Sequence, residues 1–180
     1  VQSQGFAPIA RADSRVLILG SLPGHESLRR HEYYAQPRNA FWKIMGELIG
    51  AGPELPYAVR VRRLRARRIA VWDVCAAAFR AGSLDASIVA DSVIVNDFAA
   101  FFAAHRRIGL VCFNGATAHA LYRRRVLPQL LGRAARLPVA VLPSTSPAHA
   151  ARSLEDKLAA WQRILRPAPL ASTPSARRKR

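Results

Sequence analysis

Four short runs of the chain are apolar at every position and stop abruptly at polar or turn residues. They are Val16-Leu17-Ile18-Leu19 before Gly20, Ile69-Ala70-Val71-Trp72 before Asp73, Leu110-Val111-Cys112-Phe113 before Asn114-Gly115, and Val139-Ala140-Val141-Leu142 before Pro143-Ser144. A strand that is apolar on both faces must be covered on both faces, which is the condition of a strand in a parallel sheet. Between the runs the period changes to that of helices. From Asn39 to Ile49 one stripe carries Phe41, Ile44, Met45, Leu48 and Ile49. Asn96-Asp97 offers a cap ahead of Phe98, Phe101 and Phe102. Thr117 to Leu131 sets Ala118, Leu121 and Tyr122 against Arg123-Arg124-Arg125, with Pro128 ending or kinking it. Ser153-Leu-Glu-Asp156 matches a capping box before Leu158, Trp161 and Leu165. Strands alternating with helices predict an α/β fold with a mostly parallel sheet, its site at the carboxyl ends of the strands.

Length and composition narrow this picture. A chain of 180 residues with 51% hydrophobic positions supports one domain and a sizeable core. We expect one folded unit over 15–166, a poorly structured segment over 1–14, and a disordered basic tail over 167–180, where Pro, Ser, Ala and Arg follow no period. No apolar run approaches the roughly 18 residues of a membrane span, and the first residues lack a secretory pattern, so a cytoplasmic, non-membrane protein is expected. Cys75 and Cys112 lie in apolar surroundings and read as buried thiols; no Cys-based metal site is expected.

Charge changes the picture more. Lys plus Arg number 28 against 11 Asp plus Glu, a net +17, and only Lys43, Lys157 and Lys179 are lysines. Guanidinium-rich surfaces favour polyanions, so a nucleic acid is the expected partner. The run from Arg60 to Arg68 is the densest basic stretch, and reads equally as a phosphate-facing or a solvated helix face.

Three loops carry candidate chemistry. Gly20-Ser21-Leu22-Pro23-Gly24 follows the first strand and can bring backbone close to a ligand, but it is neither a GxGxxG nor a P-loop. Tyr33-Tyr34-Ala35-Gln36-Pro37-Arg38-Asn39-Ala40-Phe41-Trp42 pairs tyrosines in a proline-containing loop, where an aromatic can pack inward or stack on a base. Leu142-Pro143-Ser144-Thr145-Ser146-Pro147-Ala148-His149 follows the fourth strand; its hydroxyls suit phosphates and its prolines make it narrow.

In this order the three loops resemble those of the uracil-DNA glycosylase superfamily. The Tyr34 to Lys43 block is similar to that of mismatch-specific members, while GSLPG and Pro-Ser-Thr-Ser-Pro-Ala resemble the hypoxanthine-DNA (deoxyinosine) glycosylase branch. The resemblance runs over roughly residues 15 to 165. It implies a three-layer α/β/α sandwich around a four-stranded parallel sheet. It also implies a cofactor-free, metal-free monomer that flips a deaminated base from DNA and hydrolyses its N-glycosidic bond. Two positions depart from the wider superfamily: Leu22 stands where a water-orienting Asp or Asn is common, and Leu142 where the last motif often begins with His or Asn. In the hypoxanthine branch the catalytic group is the Asn of the Pro-x-Asn-x-Phe-Trp block, which is Asn39 here.

The resemblance assigns the remaining roles. Tyr34 stacks on the flipped base with Tyr33 beneath it. Asp73 reads the base, accepting from hypoxanthine N1–H and disfavouring uracil, whose N–H is flanked by two carbonyl oxygens. Asn114 bonds the base or the water. Gly20, Ser21, Pro23 and Gly24 face DNA; Ser144, Thr145 and Ser146 touch phosphates; Pro147 and Ala148 fill the space the base leaves; His149 contacts a phosphate or the base. Alternatives stay open at this point: each of these residues also has a purely structural use, a uracil- or mismatch-directed enzyme shares the motifs, and Leu22 is compatible with a non-catalytic module that grips damaged DNA. A lyase would need Lys43 as its amine, and a zinc deaminase would need a His-x-Glu and Cys-x-x-Cys set that the chain lacks.

Overall fold

The computed structural model describes residues 2–165. The four apolar runs are strands β2 (Val16–Gly20), β3 (Ile69–Asp73), β6 (Leu110–Asn114) and β7 (Val139–Leu142), all parallel, in the order β3-β2-β6-β7. β3 is buried along its whole length, and β2 and β6 at all but their first residue, which is why they read as unbroken hydrophobic runs. β7 lies at the edge, and Val139 and Val141 face outward. The register pairs Gly20 with Asp73 and Asn114 with Leu142, so all four strands end on one line and deliver their following loops to one edge.

Helices α1 (His25–Arg30), α2 (Phe41–Ile49), α3 (Tyr57–Ala66), α4 (Phe98–Ala104), α5 (Ala116–Leu121), α6 (Gly132–Ala135) and α7 (Leu154–Leu165) accompany the sheet. Aromatic rings bind the layers. Trp72 packs on Phe98 and Phe101 of α4, and Phe98 meets Tyr122 edge-on, which in turn contacts Phe113 of β6. Phe41 on α2 meets Trp161 on α7 edge-on at 5.9 Å. Asp97 caps α4 by accepting from Ala100 N–H, and Ser153 accepts from Asp156 N–H, as their sequence patterns predict. The helix expected over 117–131 is broken instead: after α5 comes a π turn over Tyr122–Val126, then a 3-10 turn over Leu127–Gln129 that contains Pro128.

A second sheet lies outside the sequence reading. β1 (Gln2–Gln4), β4 (Cys75–Phe79) and β5 (Ile94–Val95) form an antiparallel sheet in the order β1-β4-β5. The N-terminal segment expected to be poorly structured therefore has structure. Gln2–Gln4 pairs with β4, Ile9 is buried and exchanges backbone hydrogen bonds with Val71, and Phe6 carbonyl accepts from Trp72 Nε1. Its polar, alternation-free sequence gave no sign of this, because pairing through backbone groups demands no particular side chains. The expected tail over 167–180 lies outside the described residues. Cys75 and Cys112 are buried free thiols. Among the described residues, no helix is long and apolar enough to cross a membrane.

Candidate active site

A cavity of about 870 Å³ opens at the carboxyl edge of the parallel sheet. The loops after β2, β6 and β7, the end of β3, the segment Ser83–Ala86 after β4 and the Tyr33–Asn39 loop all reach it, and every site residue singled out in the sequence lies on its lining.

Tyr34 sits in the left-handed region, φ 56°, which a non-glycine residue enters only when its surroundings hold it there. Its ring lies parallel to Phe41, 4.0 Å between centroids. Phe41, not Tyr33, is thus the platform beneath it. Tyr33 is core: it is 6.2 Å away and tilted, its hydroxyl donates to Ala7 carbonyl, and its own carbonyl accepts from Trp42 Nε1. The Tyr34 hydroxyl is buried, has no hydrogen-bond partner, and faces Asp73 and Asn114; burial holds it neutral.

Asn39 is half-buried one residue before the N-cap of α2. Its Oδ1 accepts from Phe41 N–H at 2.9 Å, so it does close the first turn of the helix. That bond orients the amide and leaves Nδ2 and a second lone pair of Oδ1 for the cavity.

Asp73 is 3% exposed, and its Oδ2 has no hydrogen-bond partner. Burial, followed by the neighbouring Asp85 carboxylate, pushes its pKa up to about 7 against the opposing pull of Arg80. At neutral pH it is therefore not the permanently ionised acceptor that the sequence reading assumed. It packs so closely on Gly20 that a Cβ there would collide with Asp73 Oδ1 and stand 3.1 Å from the Tyr34 hydroxyl. Glycine at this position is what lets the carboxyl and the phenol enter the site together.

The loop after β7 is held from three sides. Asn114 Nδ2 donates to Thr145 Oγ1 and Asn114 Oδ1 accepts from Thr145 N–H, both at 2.8 Å. Trp161 Nε1 donates to Pro143 carbonyl, and the buried Lys157 ammonium to His149 carbonyl. Thr145 carbonyl accepts from Ala40 N–H, joining this loop to the start of α2. Thr145 is 1% exposed, so its hydroxyl braces the loop and does not reach a phosphate. Ser144 and Ser146, half-buried, accept from backbone N–H groups of Ser146 and Ala148, while Ala148 and His149 are exposed at the rim.

The loop after β2 is held from beneath by residues the sequence reading missed. Ser21 is buried and donates to Asp85 Oδ1 at 2.6 Å, which turns its hydroxyl inward to brace the loop. Arg80, with a side chain 1% exposed, donates to the carbonyls of Leu22 and Pro23 and lies 4.0 Å from Asp85. Leu22 packs with Cys75 and Ala78, so the residue at the usual water-orienting position belongs to a small apolar core. An arginine ending an otherwise small and apolar stretch, Cys75 to Phe79, followed by an acid five residues on, was the only available signal. Among the described residues no cluster of side chains is suited to a metal ion.

The family model described as the uracil DNA glycosylase superfamily matches residues 7–166. A Methanosarcina acetivorans protein named hypoxanthine DNA glycosylase is 34% identical over 91% of this chain and 98% of its own length. One of the same name from Methanosarcina barkeri is 37% identical over 64% of this chain and 72% of its own length. A solution NMR structure of a Methanosarcina acetivorans protein, described as a candidate uracil DNA glycosylase, superposes with a TM-score of 0.76 at 33% identity, covering 92% of this chain and 98% of that one. With its sheet order, its three loops and a family match over nearly its whole length, the chain belongs to the uracil DNA glycosylase superfamily.

Proposed function

We propose that the protein is a monofunctional DNA glycosylase that takes a deaminated base, hypoxanthine in preference, out of the stack and hydrolyses its N-glycosidic bond to leave an abasic site. The observation that carries this reading is the joining of the Tyr34 ring, the Asn39 amide and the Asp73 carboxyl on one cavity. The names of the two curated relatives support the choice of base.

A base in the cavity stacks on Tyr34, whose own plane is set by Phe41. Asn39 orients the attacking water with its free lone pair and donates from Nδ2 to the sugar or base. It cannot be a strong base, and an oxocarbenium-like sugar does not need one. Asn114 acts at one remove: its amide is committed to Thr145, so it positions the last loop. Ser144, Ser146, Pro147, Ala148 and His149 lie along the path of the backbone; Gly24 is half-exposed on the same cavity, and Gly20 and Pro23 line it from within. The working unit of this reading is a monomer.

Duplexes carrying hypoxanthine, uracil, xanthine or a mismatched thymine, each scored for abasic-site formation under single turnover, test the reading. Hypoxanthine should be released fastest, with uracil slower by the order of 10- to 200-fold that corresponds to about 1–3 kcal/mol of discrimination. Preferential release of uracil or thymine overturns the choice of base. Tight lesion binding with no release from any substrate makes the protein a binding module.

A further inference from the structure

Among the described residues, Asp73 is the one carboxyl that combines near-complete burial, a place on the cavity lining and an oxygen without any hydrogen-bond partner. None of these residues donates a hydrogen bond to its Oδ2. Gly20 presents no side chain to it, and the Tyr34 hydroxyl stands on the same side without bonding to it. Asp85 contributes a like charge and is already bonded to Ser21. Arg80 turns its guanidinium to the carbonyls of Leu22 and Pro23, and its Nε is itself unpartnered. Cys75 is a buried thiol whose pKa is pushed up to about 12, so it stays neutral. A carboxylate that only reads a base would normally be held ionised by donors of the protein. This site is built the other way: it favours the neutral acid, whose O–H is free to point at a ligand.

Resting on the reading of hypoxanthine as substrate, we propose that Asp73 is the general acid of the reaction and gives its proton to the imidazole-ring nitrogen N7 of the departing purine. The C1′–N9 bond breaks with its electron pair going to the base, and the Asp73 proton bonds N7 as it does. The base leaves neutral. A water oxygen, oriented by Asn39, bonds C1′ and loses its proton to solvent, and solvent then reprotonates Asp73. This division of labour follows from the leaving groups. A uracil anion spreads its charge from N1 onto O2 and, through the C5=C6 bond, onto O4, and needs no proton. A purine departing from N9 gains most from a proton on the neighbouring ring nitrogen. The absence of a water-orienting acid at Leu22 and the presence of a proton-bearing acid at Asp73 then belong to one design, in which the carboxyl serves the base and an amide serves the water.

The test is the pH dependence of single-turnover hypoxanthine release by the wild-type protein, beside Asp73→Asn. The wild-type rate should be flat at low pH and fall about tenfold per pH unit above a midpoint near 7, where burial and the Asp85 charge leave Asp73. Asp73→Asn should lose roughly 10²-fold at pH 6, lose the falling limb, remain cooperatively folded, and keep its affinity for lesion DNA within a few-fold. A wild-type rate that is flat or rising up to pH 8.5 overturns the proposal without any variant, as does an Asn variant that retains a falling limb. If the wild type releases uracil but no hypoxanthine, the choice of substrate fails and this role fails with it. If hypoxanthine is released with a flat profile, only the role of Asp73 fails.

Discussion

Asn39 shows why capping and catalysis are hard to separate by residue type. The same Oδ1 that accepts from Phe41 N–H is fixed by that bond over the cavity. Asn39→Ala should lower single-turnover base release by roughly 10²-fold, the scale of one positioned catalytic group. The lost cap should cost about 0.5–2 kcal/mol of stability, read from denaturant midpoints. Asn39→Ser restores an acceptor for the helix but not the amide donor, so it should regain stability without activity. Near-full activity in the Ser variant would reduce Asn39 to a cap. Asp73 makes a separate prediction about folding. Its pKa is raised from the ordinary 3.8 to about 7 in the folded protein, so the neutral form is the one the fold favours. Its contribution is fully present below pH 4 and is lost as pH rises through about 7. Asp73→Asn removes that loss, so its melting temperature relative to wild type should rise between pH 5 and pH 8.

At the scale of elements, the cavity is an arrangement of loops clamped from behind by groups that do not enter it. The Asn114–Thr145 pair joins the end of β6 to the loop after β7, and both partners are buried. Asn114→Ala leaves Thr145 N–H buried without an acceptor and should destabilise by about 1–3 kcal/mol, with a loss of base release that tracks the loosened loop. Asn114→Asp can still accept from Thr145 N–H and from its hydroxyl, so it should recover most of the stability in thermal melts. An Asp variant that recovers stability but not base release would assign Asn114 a direct contact with substrate. Arg80 and Asp85 form the matching clamp beneath the loop after β2, in the segment that follows β4 of an antiparallel sheet that no apolar alternation announced.

At the scale of the whole molecule, the +17 charge is divided by the polarity of the sheet. Because β2, β3, β6 and β7 are parallel, their starts share one edge, and each is preceded by exposed arginine: Arg15, Arg67-Arg68, Arg106-Arg107 and Arg136. The C-terminal end of the basic run from Arg60 to Arg68 therefore lies at the edge opposite the cavity. Arg60 itself is half-buried over Trp42 and Tyr57. Arg29 and Arg30 are paired with Glu26, whereas Arg38 is exposed on the cavity lining. If about 4–6 phosphates are neutralised, log K for a short duplex should fall with log[salt] with a slope of about −4 to −5. Arg38→Gln should reduce that slope by about 1, while Arg67→Gln with Arg68→Gln should leave it unchanged. A fluorescence-anisotropy titration at several salt concentrations reads both. An equal effect from the two variants would move the footprint to the far edge.

The four parallel strands were legible because burial on both faces leaves a one-dimensional trace, an unbroken apolar run with a polar stop. Their stops named Gly20, Asp73 and Asn114 for the same reason: the chain must turn where the sheet ends. The Tyr34 to Trp42 block and the Pro-Ser loop were legible as motifs, since local sequence shapes a loop. What the sequence could not carry was anything decided by partners distant along the chain. The pairing of Gln2–Gln4 with β4 uses backbone groups, which every residue has. Phe41 rather than Tyr33 lies under Tyr34 because the turn at Tyr34 swings its ring over α2. Thr145 and Ser21 are turned inward because Asn114 and Asp85 wait there, 31 and 64 residues away. The protonation of Asp73 is the extreme case. An aspartate in a sequence has one chemistry, and only the fold, by removing water, withholding donors and placing Asp85 beside it, gives it another.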